Sequence, residues 1–455
     1  MDMRKTLCVT NGRHQLGQSE DIISNLNEDV ILYILSFLDI KAAVVTSLLS
    51  RRWRYLWSSL RVLNFDQRFY PWFKKYPFKN SLDKVINVLR NVQEIHLKLS
   101  SELPQCIFNW KSLRVLKLKG VDGFLWLRNP HSVDLPLLKS LHLTRVVLDM
   151  TLVNDCLSKC PALEVLSLKC CEFMHLEDLI VSSPQLKKLV IITYDQNYGC
   201  FKHYDTKIWA PKLTFLKVRD YISKRFSLDN LSSLESAVID LKVNEHFVPL
   251  GTKQENAKRV IQVLEGLCHA ESLTLSASSL EMFSSALKIQ RMSSQFSNLR
   301  HFKLTSSPND ACDLLQLLMD SPNIKTLLLK MTWTNFNSYQ GRLYWDEVIT
   351  VCFQPSFYST IMEANWEEWL QFQCLLEHLE SVEIRNFLGC ENEVRLLIVL
   401  LQKATALRKI KIVLAQVWPH SREKMMWVVW KILQRVPRAS QNIMLEFVNF
   451  RVLKL

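Results

Sequence analysis

Along residues 26–57, LNEDVILYILSFLDIKAAVVTSLLSRRWRYLW, apolar positions recur at helical spacing but are not confined to one stripe. The pattern predicts three short helices. The first starts near Glu28, with Asn27 as N-cap and Leu26 stapled against Ile31. Its apolar set, Val30, Ile31, Tyr33, Ile34, Leu35, Phe37 and Leu38, wraps nearly the whole helix. The second runs from Lys41 to Leu49, with Asp39 available as its cap. The third carries Trp53, Leu56 and Trp57 one turn apart, beside Arg51, Arg52 and Arg54. A unit of roughly 40 residues cannot bury that much apolar surface within itself, so the segment reads as a docking module.

From residue 92 a different period takes over. The phrase apolar-x-x-apolar-x-apolar recurs as Val92–Ile95–Leu97, Leu113–Leu116–Leu118, Leu138–Leu141–Leu143, Leu163–Leu166–Leu168, Leu186–Leu189–Ile191 and Leu213–Leu216–Val218. It continues as Leu234–Ala237–Ile239, Ala270–Leu273–Leu275, Leu299–Phe302–Leu304, Ile324–Leu327–Leu329, Leu379–Val382–Ile384 and Leu407–Ile410–Ile412. Over much of this stretch successive phrases begin 23–27 residues apart, the period of leucine-rich repeats or close to it. Pro136, Pro161, Pro184, Pro211 and Pro322 stand two residues before the first apolar position. There a proline stops the preceding helix and starts the strand from an extended conformation. The segment from Asp155 to Cys160 is one such helix. Units that cannot bury their leucines alone must stack, so the expected architecture is a solenoid with a parallel sheet on its concave face. The intervals before Ala270 and before Leu379 are long, which predicts uneven curvature.

Strand alternation turns the residues between and after the last two apolar positions toward the open face. Those positions hold Lys117 and Lys119, Ser167 and Lys169, Lys217 and Arg219, Lys303, Leu328 and Lys330, Glu383 and Arg385, and Lys411. The lane is mostly basic. Lys117, Lys119, Lys169, Lys217, Arg219, Lys303 and Lys330 are therefore candidate contacts for an acidic or phosphorylated protein target. The competing reading is a solvated strand face on which lysine deters edge pairing. Residues 331–373 interrupt the repeat with eleven aromatic positions from Trp333 to Phe372. They are either an insertion over the solenoid or a connection burying its own rings.

The segment 26–57 resembles the F-box of plant F-box proteins. The match runs through Leu26, Glu28, Val30, Ile34, Leu35, Ser36, Leu38, Ala43, Thr46, Ser47, Leu49, Ser50, Arg52, Trp53, Arg54, Leu56 and Trp57. Two prolines of the family pattern are replaced, by Asn27 and Asp39. The resemblance implies binding to the Skp adaptor of an SCF-type cullin ubiquitin ligase, through Leu26, Asn27, Glu28, Ile31, Ile34, Leu35, Leu38, Val44, Leu48, Leu49, Ser50, Trp53 and Trp57. Residues 374–414 and 431–448 resemble the FBD domain that ends many plant F-box/leucine-rich-repeat proteins. The features are Cys374-Leu375-Leu376, the strand at Val382–Ile384, Phe387, Gly389, Glu391, Glu393 and the turn Pro437-Arg438-Ala439-Ser440. There the pattern predicts a helix over 391–403, a second over 421–435 and a last strand. The expected fold is thus α/β: a polar tail (1–20), an F-box (21–66), a leucine-rich-repeat solenoid (67–373, with the insertion 331–373) and an FBD-like cap (374–455).

Composition narrows the function. The 455 residues carry a net charge of +13, which favours acidic or phosphorylated partners and also suits non-specific nucleic-acid contact. Only 9 glycines are present, so a phosphate-cradling loop has little material. No apolar run of membrane length and no apolar secretory core occurs, so nucleus and cytoplasm both fit. The 12 cysteines are scattered and expected to be reduced. Cys156, Cys160, Cys170 and Cys171 form one cluster, but adjacent strand residues point to opposite faces, which favours core thiols over zinc. No G-x-S-x-G, Walker A, H-E-x-x-H or C-x-x-C pattern is present. His142 and His301 fall on the strand face, and Cys374 and His378 sit in an apolar context. No cofactor is expected. The main reading is a non-catalytic substrate receptor that reaches cullin and RING protein through its adaptor. The alternatives are a basic nucleic-acid-binding scaffold and an F-box protein acting outside the ligase.

Overall fold

The computed structural model describes residues 22–69, 85, 88–89, 91–100, 103, 105–127, 132–173, 178–193, 206–221, 226–242, 253–290, 292, 295–306, 314–315, 317–318, 320–332, 376–387, 389, 391–415 and 429–448. The aromatic-rich positions from Trp333 to Phe372, and Cys374, lie outside them.

The helices come first: α1 (Ile22–Asn25), α2 (Glu28–Ser36) and α3 (Ile40–Val45), then 3-10 turns at Thr46–Leu48 and Trp53–Ser59. The third predicted helix is therefore 3-10, not α. The two residues that replace the family's prolines both act as caps. Asn27 Oδ1 accepts from Asp29 N at 3.4 Å and Asp39 Oδ1 accepts from Ala42 N at 2.9 Å. Each satisfies a helix N-terminal donor, where a proline would have preset the backbone.

Among the described residues fourteen parallel strands then form one sheet in which spatial order equals chain order. They are β1 (Val62–Asp66), β2 (Glu94–Leu99), β3 (Val115–Gly120), β4 (Ser140–Thr144), β5 (Val165–Lys169), β6 (Lys188–Ile192) and β7 (Phe215–Tyr221). The others are β8 (Ser236–Lys242), β9 (Ser272–Leu275), β10 (His301–Ser306), β11 (Thr326–Met331), β12 (Ser381–Phe387), β13 (Lys409–Leu414) and β14 (Met444–Val448). The register is what the leucine phrase dictates. Ile95, Leu116, Leu141, Leu166, Leu189 and Leu216 are successive partners, and the column runs on through Ala237, Leu273, Phe302, Leu327, Val382 and Ile410. Every one of these side chains is at most 2% exposed. The phrase also occurs before residue 92 as Leu60–Leu63–Phe65, and that repeat supplies β1.

A backbone ladder accompanies the apolar column. The carbonyl just before each strand accepts two N–H groups from the next repeat: Arg114 O from Lys139 and Ser140, Lys139 O from Glu164 and Val165, Glu164 O from Lys187 and Lys188. The pattern persists to Glu380 O, which accepts from Arg408 and Lys409. The upstream prolines sit inside tight turns. Leu138 N donates to Leu135 O, Leu163 N to Cys160 O and Leu213 N to Ala210 O, so Pro136, Pro161 and Pro211 occupy the second position of a four-residue turn. Proline's fixed φ suits that position. Its role is to set the turn that aims the strand, and only the residue before it is biased to extended backbone.

Behind the sheet lie two three-stranded sheets, Leu125–Trp126 with Val146–Leu148 and Glu172–Phe173, and Leu179–Ser182 with Thr206–Trp209 and Phe226–Asp229. With them are α4 (Met150–Lys159), α5 (Lys253–Gly266) and α6 (Ala277–Ile289). Helix α5 fills the long interval before Ala270. In the C-terminal segment β12, α7 (Glu391–Lys403) and β13 alternate, so this part extends the sheet. Helix α7 matches the predicted span. Val394, Leu397, Ile398 and Leu401 are buried, and so is Glu393, whose Oε2 accepts from Gly389 N at 2.6 Å. Of the predicted helix 421–435, residues 429–435 are described and helical. No helix among the described residues is long and apolar enough to cross a membrane.

The first helices and the solenoid share one core, in which Ile31, Leu35, Ala43 and Trp53 are continuous with Leu63, Phe65 and the column behind them. At the join Asp66, 8% exposed, accepts from Arg68 Nη2 at 2.7 Å and from Lys98 Nζ at 3.1 Å. The Arg68 guanidinium, then the Lys98 ammonium, hold its carboxyl far below the usual carboxylate range. Such a carboxylate stabilises the fold fully above its unfolded pKa of about 4, and that contribution fades as pH falls toward its folded value. Urea unfolding of the Asp66→Asn variant should therefore show its deficit against wild type undiminished at neutral pH and shrinking below about pH 4. Leu216→Ala, at a position with 0% exposure, should lower unfolding free energy by about 2–5 kcal/mol in the same assay.

Candidate protein-docking surfaces

Helix α2 is apolar all round, and the structure divides its faces. Ile31 and Leu35, one turn apart, are fully buried in the core that α2 shares with the Trp53–Ser59 turn, and Leu32 and Leu38 are half-buried against that core. Tyr33 and Phe37, on the other side, are 66% and 71% exposed, and their rings meet edge to face at 4.8 Å. Val30 and Ile34 are exposed beside them. On the following elements Val45, Leu48, Leu49 and Tyr55 are exposed, Leu48 at 85%. Eight large apolar side chains thus face solvent within 26 residues, where a soluble domain ordinarily scatters such residues singly. Lys41, Arg51, Arg52 and Arg54 stand exposed among them, so the surface is apolar with a cationic rim. Ser47 Oγ, Ser50 Oγ and Trp53 Nε1 are shielded from solvent with no hydrogen-bond partner among the described residues, which native interiors seldom tolerate.

The thirteen residues assigned to adaptor contact therefore fall into three sets. Ile34, Leu48 and Leu49 present open apolar surface, with Asn27 and Glu28 exposed at the start of α2. Leu26, Leu38, Val44 and Trp57 are half-buried and pack against the core. Ser50 is half-buried. Ile31, Leu35 and Trp53 are core, at 0%, 0% and 3% exposure, so they support the surface from beneath. Val30, Tyr33, Phe37, Val45 and Tyr55 are exposed residues that the assignment omitted. The signal for Tyr33 and Phe37 lay in the helical period itself: on a helix apolar all round, whatever does not align with Ile31 and Leu35 must point out.

On the sheet, Lys117, Lys119, Lys169, Lys303 and Lys330 are exposed on the open face as alternation predicts. Lys217 and Arg219 are half-buried. The register shows what the repeat phrase could not. Arg219 lies beside Asp240 of the next strand, Nε to Oδ2 2.8 Å. Glu383 accepts from Arg385 Nε at 2.8 Å and lies 3.7 Å from Lys411, and these cations hold its carboxyl below the usual range. Lys409 meets Glu446 at 2.6 Å. The lane is thus basic toward β3 and charge-paired toward β13. His301 Nδ1 lies 2.9 Å from Thr326 Oγ1. Cys156 on α4 and Cys160 just after it are buried, and Cys171 Sγ donates to Leu143 O at 3.6 Å. Among the described residues no group of three or more His, Cys, Asp or Glu is arranged to hold a metal ion.

An apolar helical head on a leucine-rich-repeat sheet defines a protein that holds partners together. Comparison with known sequences agrees. A model of the F-box domain matches residues 23–65, a model described as "FBD-associated F-box protein At5g56370, LRR repeats" matches residues 80–238, and an FBD model matches residues 371–412. F-box/LRR-repeat protein At3g59250 of Arabidopsis thaliana is 31% identical over 336 residues, covering 68% of this chain and 74% of its own. Putative FBD-associated F-box protein At3g50710 of the same plant is 27% identical over 438 residues, covering 85% and 91%. The chain belongs to the plant F-box/leucine-rich-repeat family with a C-terminal FBD domain. In general terms membership implies a substrate-recognition role with SCF-type ligases, a Skp-type partner, and an adaptor's work instead of catalysis.

If the division of faces is right, Phe37→Asp and Leu48→Glu should leave the thermal midpoint within a few degrees of wild type. Trp53→Ala should cost about 3–5 kcal/mol and shift it markedly. Differential scanning calorimetry separates the two.

Proposed function

We propose that this chain is the substrate receptor of an SCF-type cullin ubiquitin ligase, its F-box held by a Skp-type adaptor and its sheet face holding a protein target. The observation that carries the reading is the set of unpartnered apolar side chains on α2 and the turn after α3, with Tyr33, Phe37, Leu48 and Leu49 standing in solvent. Their burial would supply the association energy, at roughly 25 cal/mol per Å² less the cost of immobilisation. Exposed aromatic anchors such as Tyr33 and Phe37, set among apolar neighbours inside a charged rim, fit the usual anatomy of a binding interface. On this reading the contact set is Val30, Tyr33, Ile34, Phe37, Val45, Leu48 and Leu49, with Asn27, Glu28 and Ser50 at its margin and Trp53 and Trp57 fixing its shape.

The chain performs no bond chemistry of its own in this scheme. Cullin and RING protein, reached through the adaptor, bring the charged ubiquitin carrier near the target. Rate is gained because two reactants held on one scaffold meet at high effective concentration. The F-box of residues 21–66, whose last strand opens the sheet, and the solenoid of 67–373 divide the two tasks, and 374–455 extends the sheet at its far end. Such a receptor works in the nucleus or cytoplasm.

Co-expression with a Skp-type adaptor tests the proposal. The tagged wild-type chain should recover adaptor and cullin. The double variant Phe37→Asp, Leu48→Glu should lose recovery by about a hundredfold while remaining folded. Full recovery with the double variant would reject this surface, and a folded wild-type chain that never recovers adaptor would reject the ligase role.

A further inference from the structure

The open face of the sheet has two electrostatic halves. From β3 to β6 its outward positions hold Lys117, Lys119, Lys169 and Lys188, and no carboxylate. None of these four lysines is ion-paired among the described residues; Lys188 lies over the Phe215 ring at 4.9 Å. Between them Ser167 and Val190 are small and buried, at 4% and 7% exposure, so the lysines rise around a low floor. Beyond β6 carboxylates return on β8, β12 and β14 and pair there, Asp240 with Arg219, Glu383 with Arg385, Glu446 with Lys409, while the outward positions of β9–β11 hold none. Lys303 and Lys330 are exposed there, and the next strand brings Glu383 beside Leu328.

One row runs from this basic half onto β2, whose outward positions also include the carboxylate of Glu94. His96, Lys117 and His142 are direct register partners on β2, β3 and β4, so they stand side by side at roughly the 4.8 Å strand spacing. Around His142 are Ser140 and Thr144 on its own strand, Lys117 and Lys119 on β3, and Ser167 and Lys169 on β5. Around His96 are Glu94 and Lys98 on its own strand, Asn64 and Asp66 on β1, and Lys117 and Lys119 on β3. Asp66 is taken by Arg68 and Lys98. Glu94 Oε2 is 3.5 Å from His96 Nε2, too poorly aimed for a hydrogen bond.

We propose that strands β2–β6 seat an anionic segment of the protein target, phosphorylated or rich in carboxylates, over the row His96–Lys117–His142 with Lys119, Lys169 and Lys188 around it. This rests on the receptor reading above and specifies the chemistry of what is received. A peptide is favoured over a nucleic acid because the outward positions of β2–β6 carry no Phe, Tyr or Trp on which bases would stack. Seating is linked to protonation. Burial, and then the charge of Lys117, hold both imidazoles below their usual pKa. An anion over Lys117 replaces that repulsion with attraction, so the complex takes up protons and affinity rises as pH falls.

The test uses the full chain bound to its adaptor and three fluorescent peptides of one sequence, carrying two phosphoserines, two glutamates or two serines. Anisotropy should show at least one anionic peptide binding about tenfold tighter than the serine peptide, and which one identifies the source of the charge. The pair Lys117→Glu, Lys169→Glu, and the milder Lys117→Gln, Lys169→Gln, should erase that preference. The pair Lys303→Glu, Lys330→Glu should keep it within about twofold. Going from about pH 8 to pH 7, where phosphoserine stays mostly dianionic, should tighten binding, and His96→Asn with His142→Asn should remove the effect. Absence of any anionic preference, equal loss with both lysine pairs, or displacement by single-stranded RNA at peptide-like concentration would overturn the proposal. A wild-type pH slope that is flat, or unchanged by the histidine variants, would overturn the linkage. Adaptor retention, measured in the same samples, separates these failures from failure of the ligase role.

Discussion

Everything in this molecule depends on one column of apolar side chains held in register across parallel strands. Each repeat buries its second phrase position against the same position of its neighbours, from Ile95 to Ile410, with almost no exposure anywhere along the line. No single repeat could do this alone. The paired N–H groups that converge on each strand-entry carbonyl follow from that stacking, because strands aligned by their leucines place those groups opposite one another. The outward rows are then fixed as well. A one-residue slip would turn every inward side chain out, so the apolar column determines which lysines and histidines share a row.

Much of the fold was legible because it is periodic. The helix over 391–403, the repeat phrases and the caps at Asn27 and Asp39 all follow from short-range patterns. The turn role of Pro136, Pro161 and Pro211 did not, because a proline ahead of a strand is compatible with extended backbone and with a turn alike. The first repeat escaped for another reason. Leu60–Leu63–Phe65 follows directly on Trp53–Ser59, and a segment read as helical module hid the strand that begins two residues later.

The docking surfaces were legible only in part. Composition and period show that α2 has too much apolar surface, but not which side the rest of the chain claims. That is decided by α3, the 3-10 turns and β1. Trp53 illustrates the difficulty: a tryptophan in a short exposed-looking module suggests an anchor, yet it is buried and braces the anchors. On the sheet the obstacle is distance along the chain. Arg219 looks like part of a basic lane until β8 brings Asp240 beside it, 21 positions later. Cross-strand pairing of this kind weakens some cations as ligands and leaves others, such as Lys117, unopposed.

The shared core of the first helices and β1 has a mechanical consequence. Only Leu60 and Arg61 separate the last 3-10 turn from the first strand, so on the receptor reading proposed above the end that would meet the adaptor runs directly into the sheet. Fourteen strands at about 4.8 Å spacing make a jib some 60 Å long. On that same proposed reading, where along the jib a cargo protein is gripped decides how far its lysines hang from the transfer machinery, and a grip near the mast would select a different set of them from a grip near the tip.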